Sequence, residues 1–316
     1  MKKELGTFIL LVLLCVVVSI KQPLFLSATN LQNTARLIGA YGIFSLGLGL
    51  VIITGGIELS VGSVFALLGV LLSIMLMEWQ TGSWVSVIAI IAIASLIGAF
   101  HGFLITKARV QPFIVTLCGL LFYRGLARFI ARDETKGFGS GEGFKGLQEL
   151  ATGKFLGIPT PFVLLIILSV LMWVLLHRSV YGRYLFAVGR NENAARYSGI
   201  NSNLIIASAY IICGLLAGIS GILIAFYTNS VSPSSHGNFF ELYGIAAAVL
   251  GGCSLRGGEG SVIGILIGVA LLQVLQNLVN LLGIPTSLNF AVMGAVILIG
   301  VLTDQLLRNR KKLKVA

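Results

Sequence analysis

The sequence predicts an all-α polytopic membrane protein of about ten transmembrane helices. Three observations lead to this prediction: the scarcity of charged residues, the length of the apolar runs and the placement of the basic residues. Of the 316 residues, 57% are hydrophobic and 10% are charged, and the mean hydropathy is +0.99. A soluble domain carries about 25% charged residues, most of them on the surface that faces water. The missing charge therefore indicates a surface that faces lipid.

The apolar runs have the length that a membrane requires. A helix needs roughly 17–25 apolar residues to cross a hydrocarbon core of about 30 Å. The predicted spans are 5–20, 36–54, 60–77, 84–106, 111–131, 161–177, 203–226, 241–255, 261–282 and 287–304. The first follows Met1-Lys2-Lys3 and is predicted to be retained, because no small-residue cleavage site follows it.

The basic residues predict that both termini lie in the cytoplasm, since short loops rich in Lys and Arg stay on that side. The N-terminus, the turn at 107–109, the loop at about 178–202 and the tail at 305–316 carry most of these residues. The loops predicted outside carry none at 78–83, 227–240 and 283–286. A longer outside loop, about 132–160, carries basic residues that acidic ones balance. We predict a single transmembrane domain over 1–316.

The composition also excludes several function classes. The net charge is +11, yet no dense basic face is interleaved with aromatic residues, so no nucleic-acid partner is expected. The four cysteines have neither zinc-site nor redox spacing, and no metal site is predicted. The pattern G-x-x-x-x-G-K-[ST] that cradles phosphates is absent. We therefore expect no catalytic residues and no cofactor bound by this chain.

The segment 181–201 is the most informative part of the sequence, because it is longer than a turn requires and predicts a short amphipathic helix. Asn191 is a suitable N-cap, and Glu192 lies in the first turn, where the helix dipole favours an acid. Gly199 suits the position after the last turn. Such a helix fits a groove on a partner protein. An ordinary basic loop with a fragment of helix is the alternative that composition alone leaves open.

Three segments closely resemble signatures of one transporter family, the permease subunits of ribose-type ABC importers. The first segment contains Gly182-Arg183-Tyr184, Gly189, Asn191-Glu192, Ala194-Ala195-Arg196 and Ser198-Gly199-Ile200-Asn201. The others are Thr54-Gly-Gly-Ile-Glu-Leu-Ser-Val-Gly-Ser63 and Val249-Leu-Gly-Gly-Cys-Ser-Leu-Arg-Gly-Gly-Glu-Gly-Ser-Val262. The chain departs from the family pattern in three places, with Glu58 where Asp is usual, Arg190 where a second glycine is common and Asn193 where an acidic or small residue is common.

The resemblance implies partners and a role for the 181–201 loop. This loop is implied to contact an ATPase subunit through Gly189, Asn191, Glu192, Asn193, Ala194, Ala195, Arg196 and Gly199. A separate cytoplasmic ABC ATPase would hold ATP and magnesium, and a periplasmic or lipid-anchored binding protein would deliver the sugar. A second permease chain, identical or paralogous, would complete the path in the bacterial plasma (inner) membrane. The implied cargo is a monosaccharide. A nucleoside, a signalling molecule or a branched-chain amino acid is the alternative.

Glu58 is the first candidate within the spans, because a carboxylate near a membrane segment is costly and points to function. No Lys or Arg accompanies Gly55-Gly56 ahead of it, which favours a helix broken at membrane depth. We therefore predict that Glu58 and the neighbouring Ser60 lie on the translocation path. The alternative is that Glu58 caps the next helix, a contribution of about 0.3–1 kcal/mol.

A polar face in the ninth span is the second candidate for the path. Its members share one helical face by their three- and four-residue spacing, and a further amide follows in the tenth span. They are Gln273, Gln276, Asn277 and Asn280, followed by Asn289. Such a face must meet water, substrate or another helix, because lipid leaves it unsatisfied. Amide groups suit sugar hydroxyls, and helix–helix contact is the equally compatible alternative.

Two other function classes explain fewer features of the sequence than the importer does. An ion-coupled secondary transporter would need several intramembrane acids or bases, and the chain offers at most Glu58, Glu241, Asp304 and His101. His101 suits a proton relay or, more simply, a hydrogen-bonded packing position. An intramembrane serine protease would use Gly218-Ile-Ser-Gly221, but the histidine expected on a later helix is missing, and helix packing explains Ser220.

Overall fold

The structure, a computed structural model, describes residues 2–140 and 143–285 and, beyond them, 288, 291–292, 294–295 and 298. The described chain is a bundle of long apolar helices. In chain order they are α1 (Lys2–Lys21), α2 (Ala28–Ile53), α3 (Val61–Ser73), α4 (Ser83–Thr106), α5 (Pro112–Ala131), α6 (Lys145–Thr152), α7 (Thr160–Trp173), α8 (Val180–Arg190), α9 (Glu192–Tyr197), α10 (Ser202–Thr228), α11 (Phe240–Leu250) and α12 (Val262–Leu281). Single π-helical turns extend α3 to Glu78 and α7 to Arg178.

The helices confirm the predicted all-α membrane class. Eight of them within the described residues are long and apolar enough to cross a membrane, namely α1 to α5, α7, α10 and α12. Every predicted span but the last coincides with a helix. The tenth span, 287–304, lies for the most part outside the described residues, and so does the basic tail at 305–316.

The structure shifts the limits of two predicted spans. α2 begins at Ala28 rather than at 36, because the Ser27 hydroxyl caps it by accepting from the Asn30 amide at 3.3 Å. α11 ends at Leu250 rather than at 255, before Gly252 with its φ of +99°. The 11 residues of α11 rise only about 16 Å, half of a hydrocarbon core.

The loop at about 132–160, which the charge pattern predicts to lie outside, has more structure than its glycines suggest. It contains α6 and a hairpin in which β2 (Lys154–Phe155) pairs with β3 (Ile158–Pro159). A further short strand, β1 (Lys136–Gly137), pairs with β4 (Ser230–Val231), which follows α10. The loop is therefore tied to the end of the bundle core.

The core lies around α10, α2 and α3. Of the most apolar window in each helix, 72% of α10 and 78% of α2 is buried, against 6% of α1. Glycines bring α4 and α10 into backbone contact: a Cβ added at Gly98 would lie 2.2 Å from the Tyr210 carbonyl oxygen, and one at Gly214 would lie 2.4 Å from that of Ala94. Small residues permit such approach between membrane helices, which associate through close packing.

Two non-helical segments pack against the helices of this bundle. The α2–α3 break comprises residues 54–60, and the re-entrant loop comprises 229–239 between α10 and α11. Val231 contacts the position of Gly69 in α3, whereas the Gly237 oxygen would lie 2.1 Å from a Cβ on Gly62. Seven helical residues separate those two glycines, so the loop descends about 10 Å along α3.

Candidate functional site

Helix α9 has the limits that its sequence predicts. The Asn191 side chain accepts a hydrogen bond from the Ala194 amide at 3.0 Å and caps the first turn. At the other end Gly199 has a φ of +82°, which a residue with a side chain rarely adopts. Its amide donates to the Arg196 carbonyl at 3.0 Å, and the Ile200 amide donates to the Ala195 carbonyl at 3.1 Å. These two bonds form a Schellman motif, the predicted C-terminal stop.

One face of α9 is free to meet a partner. Ala195 is buried against the bundle, whereas Asn193, Ala194 and Arg196 are exposed and Tyr197 is 91% exposed. An exposed tyrosine on a short, doubly capped helix is a rigid amphipathic contact of the kind enriched at protein interfaces. This geometry suits a docking helix.

Glu192 connects α9 to two other elements. Its Oε1 accepts from Arg196 Nη2 at 2.5 Å and from the Ser202 hydroxyl at the start of α10 at 3.2 Å. The same oxygen lies 3.8 Å from Nη1 of Arg109, which belongs to the turn between α4 and α5. A displacement of α9 therefore moves a carboxylate that α4–α5 and α10 both contact.

The three segments singled out in the sequence meet next to α9. A Cβ on Gly189 would lie 1.8 Å from the Ile53 carbonyl oxygen, and the Gly258 amide donates to that oxygen at 2.8 Å. Gly257 has a φ of +81°, and its Cβ position lies 2.5 Å from the Gly189 oxygen and 2.9 Å from the Gly55 nitrogen. Backbones this close tolerate only glycine, so the glycine-rich signatures form one packed joint.

Glu58 lies inside the bundle, with 5% of its surface exposed. Its Oε1 accepts from the Ser60 amide and the Ser60 hydroxyl, both at 2.7 Å, and its Oε2 lies 2.7 Å from His101 Nδ1. The Tyr123 hydroxyl lies 3.0 Å from the other ring nitrogen of His101. A neutral imidazole protonated on Nδ1 satisfies both contacts, because it donates to the carboxylate and accepts from the phenol.

This chain of contacts holds the α2–α3 break against α4, α5 and α10 inside the bundle. His101 precedes the last residue of α4, Thr106, by five residues, which corresponds to about 7 Å of helix. The Ile57 carbonyl accepts from the hydroxyls of Tyr210 and Thr116, each at 3.2 Å. Non-helical backbone inside a bilayer is stable only where protein groups satisfy it. The depth of the break in the membrane and the place of Glu58 on the translocation path stay predictions. Glu58 accepts a hydrogen bond from the amide of Ser60, the residue before α3.

Arg124 is a polar group that the sequence reasoning missed. It lies in the middle of α5 and donates from Nη1 to the carbonyl oxygens of Pro233 at 3.1 Å and His236 at 2.8 Å. Its Nη2 donates to the Gly62 carbonyl at 3.2 Å. One guanidinium thus ties the re-entrant loop to the start of α3. The available signal was an arginine within the apolar run 111–131, where an ionisable residue is a functional candidate by default.

His236 is held neutral beside that guanidinium. Burial and the charge of Arg124 lower the pKa of the His236 imidazole from 6.5 to about 4. Its Nε2 is buried and has no hydrogen-bond partner among the described residues. The re-entrant loop therefore carries an uncharged imidazole at neutral pH.

The chain matches a family of permease components described as "Branched-chain amino acid transport system / permease component" over residues 30–301. The chain belongs to this family. It is 38% identical to the ribose import permease protein RbsC of Bacillus subtilis, over 96% of this chain and 93% of that protein. It is 40% identical to RbsC of Escherichia coli K12, over 95% and 93%, and 33% identical to the fructose import permease FruF of Bifidobacterium longum, over 92% and 84%. No solved structure matches the chain. Family and apolar helices together make this permease a multi-pass protein of the bacterial plasma membrane.

The four polar residues on one face of α12 have different surroundings in the permease. Asn277 and Asn30 of α2 exchange two hydrogen bonds, at 2.7 and 3.1 Å. The Tyr243 hydroxyl lies 3.5 Å from Gln276 Oε1, Gln273 is buried, and Asn280 is exposed. Asn277 thus joins two helices, as the alternative interpretation of this face expected. Asn289 lies outside the described residues.

A cleft of about 240 Å³ opens beside α9 in the permease. We call it the α9 cleft. Its polar lining includes Thr54, Thr106, Arg109, Gln111, Glu192 and Asn203. A second cavity of only about 10 Å³ is lined by Glu58, Ser60 and His101, and Tyr210 lines both. The smaller cavity holds about one water molecule at most.

Proposed function

We propose that this chain is the transmembrane permease subunit of an ATP-driven importer of a monosaccharide, with ribose the first cargo to test. The observation that carries the proposal is the joint at which the three signature segments meet beside the doubly capped α9. This joint requires all three signature segments to pack together. It is therefore stronger support for the architecture of the family than any one of the three motifs alone. The ribose and fructose relatives cover nearly the whole chain and favour a sugar over other cargo.

In this function α9 is the contact with a separate cytoplasmic ABC ATPase, which binds ATP and magnesium. The exposed face of α9 and the basic residues around it fit that role, and the orientation predicted from charge places them in the cytoplasm. A binding protein delivers the sugar from outside, and a second permease chain completes the path. Glu192 then transmits the movement of α9 to the α4–α5 turn and to α10.

A branched-chain amino acid is the second candidate cargo, because the family's description names that substrate class. The two cargos differ in chemistry. A sugar presents hydroxyls around its ring, whereas a branched-chain amino acid presents an ammonium, a carboxylate and an apolar side chain. Competition in one uptake assay therefore separates them.

The assay measures uptake of labelled ribose by cells that lack their own ribose permease and express this chain with its ATPase and binding protein. We expect excess unlabelled ribose to abolish uptake and excess leucine to leave it unchanged. If labelled leucine is taken up and labelled ribose is not, the amino-acid assignment replaces the sugar assignment.

A second arm of the assay tests α9. The double variant Glu192→Lys with Arg196→Glu preserves opposite charges four residues apart, so the helix keeps its internal ion pair. It inverts the charge offered to the ATPase and places a lysine beside Arg109. We expect uptake to be lost while the amount of permease in the membrane is unchanged. The matched control reverses Lys145 and Glu149, an exposed pair of the same spacing on α6. Undiminished uptake in the α9 variant would refute the coupling role.

A further inference from the structure

The hairpin of β2 and β3 has an exposed apolar tip. Its two-residue loop consists of Leu156 and Gly157, whose φ angles are +51° and +83°. A hairpin loop with a positive φ at both positions favours Asn-Gly or Asp-Gly, because a bulky side chain is strained there. The chain instead has a leucine at the first position, and this leucine is 88% exposed. Since a polar residue is the favourable choice in water, the leucine indicates an apolar environment around the tip.

The hairpin has one face against the bundle and one apolar face directed away from it. Phe155 pairs with Ile158 across the two strands, and directly paired residues project from the same face. Both are exposed, Phe155 by 60%. Pro159, on the opposite face, is buried where the hairpin contacts α2 and α7. We call the exposed surface of Phe155, Leu156 and Ile158 the hairpin patch.

The helix that follows the hairpin indicates its level in the membrane. α7 with its π-helical turn comprises 19 residues, Thr160–Arg178, which rise about 28 Å. This length matches a hydrocarbon core of about 30 Å, so the two ends of the helix belong near the two membrane surfaces. Arg178 is exposed and lies 4.9 Å from the centre of the Trp173 ring, a pair suited to one of these surfaces. The hairpin ends directly before Thr160 and therefore belongs at the other.

The surface of α7 beyond the hairpin is suited to lipid. Only 28% of its most apolar window is buried within the described protein. The exposed large side chains of α7 and its π-helical turn are all aliphatic, namely Ile166, Ile167, Val170, Leu171 and Val174. The hairpin patch thus lies at the end of a helix whose exposed surface meets the acyl chains.

Exposed aromatic residues mark the same end of the bundle. Lys136 Nζ donates to Glu78 Oε1 at 2.9 Å, which joins the segment before the hairpin to the end of α3. Trp79 and Trp84 flank the turn that follows, and both are exposed. Tryptophan is enriched where a membrane meets water, because its ring is apolar and its N–H is polar. The hairpin patch therefore has the composition and the position of a contact with the membrane surface.

We propose that the hairpin patch is a lipid-binding surface, which inserts into the boundary between the headgroups and the acyl chains. Leu156 and Phe155 contact the upper part of the acyl chains. Lys154, exposed at the base of the hairpin, stays at the level of the lipid phosphates. The hairpin then fixes the segment before α7 to the membrane surface. This role goes beyond transport and does not depend on the cargo.

The test measures whether the patch meets lipid or water. The full permease carries Leu156→Cys in a Cys15→Ser, Cys118→Ser background, because the other two native cysteines are buried. An NBD fluorophore is attached, and the protein is reconstituted in nanodiscs of phosphatidylethanolamine and phosphatidylglycerol. Nitroxide-labelled lipids quench the fluorescence from within the bilayer, whereas iodide quenches it from water. We expect the strongest quenching from a nitroxide near the headgroup, less from one deep in the acyl chain, and little from iodide.

Two reference positions calibrate the measurement. Glu149→Cys is exposed on α6 in the same loop, where a charged residue indicates water, so iodide should quench its label and neither lipid should. Val170→Cys is exposed midway along α7, so the deep nitroxide should quench its label most. The label at Leu156→Cys should show a depth between these two.

A double substitution tests whether the apolar side chains cause the insertion. The label is placed at Ile158→Cys, and Phe155→Ser with Leu156→Ser removes the rest of the patch. Burial of one such side chain favours the inserted state by about tenfold or more. We therefore expect quenching by the shallow nitroxide to be lost and quenching by iodide to rise. Leu255→Ser, which removes an exposed leucine between α11 and α12, is the control and should change neither.

Each other outcome overturns the lipid-binding role. Iodide quenching at Leu156→Cys as strong as at Glu149→Cys would place the tip in water. Quenching by neither iodide nor lipid would show that protein covers the patch, either a second permease chain or a binding protein. Strongest quenching by the deep nitroxide would place the tip in the hydrocarbon core rather than at its boundary. An unchanged label at Ile158→Cys in the double variant would show that the patch does not hold the hairpin in lipid.

Discussion

The α2–α3 break and the re-entrant loop both interrupt the helices, and the polar groups of each find their partners in a different kind of side chain. Both place non-helical backbone against α3, and the loop reaches Gly62, the second residue of α3, close to the end of the break. In the break, the Glu58 carboxylate accepts from Ser60 and lies against His101 of α4, while hydroxyls from α5 and α10 donate to the Ile57 carbonyl. In the loop, one guanidinium from α5, Arg124, satisfies several backbone carbonyls.

This difference predicts which side chain each segment depends on for its stability. The break depends on a buried acid, and removing that acid leaves the His101 ring and the Ser60 amide without an acceptor. The loop depends on a single guanidinium, whose loss leaves three carbonyl groups without that donor and removes the positive charge near the buried carboxylate of Glu241. We expect the break to be the more sensitive segment, because its buried N–H donors would have no acceptor, whereas a carbonyl oxygen has a second lone pair for another donor.

The largest expected effect is at Glu58. Glu58→Leu leaves His101 Nδ1 and the Ser60 amide without an acceptor and should lower the free energy of unfolding by about 2–6 kcal/mol, at about 1–3 kcal/mol for each unpaired donor. Glu58→Gln retains an acceptor oxygen and should cost about 1 kcal/mol. Thermal unfolding of the detergent-solubilised permease measures both. Glu78→Leu, which removes an exposed ion pair with Lys136, is the matched control and should cost at most about 1 kcal/mol. Equal losses in the Leu and Gln variants of Glu58 would contradict the paired arrangement.

A smaller loss is expected at Arg124. Arg124→Met removes the hydrogen bonds to three carbonyl groups and should cost about 2–3 kcal/mol in the same unfolding measurement. The free energy of unfolding of Arg124→Lys should lie between those of Arg124→Met and the parent, because an ammonium lacks the planar fork that reaches several carbonyls at once. Arg128→Met, one turn further along α5, removes only two exposed hydrogen bonds to Asp133 and serves as control. If both methionine variants unfold alike, Arg124 does not hold the re-entrant loop.

The smallest effect is a pH dependence confined to the re-entrant loop. The pKa of His236 is about 4 in the folded permease and about 6.5 in the unfolded chain, so the unfolded state binds the proton first as pH falls. This contribution to stability is present above pH 6.5 and is lost between about pH 6.5 and 4. His236→Asn should show a shallower fall of the unfolding midpoint over that window. An identical slope in parent and variant would show that His236 is not held neutral by its surroundings.

Most of the predictions that the structure confirms depend on local sequence. α9 was predicted from Asn191 and Gly199, because a cap and a stop act within one turn of their own position. Glu58 was noted because a carboxylate is rare in an apolar run. Arg124 stands out by the same rule, yet its three carbonyl partners lie 62 to 112 residues away. The partners of a side chain across such distances have no signature in the local pattern.

The sequence by itself determined that this chain crosses a membrane many times, which family it belongs to and where α9 begins and ends. Composition, helical periodicity and capping chemistry act over a few residues, so they can be read in order along the chain. Only the tertiary structure decided that Glu58 pairs with His101, that Asn277 joins α12 to α2, and that the three glycine-rich segments share one joint. Those contacts depend on how the helices cross and how closely their backbones approach, which packing settles across the whole bundle.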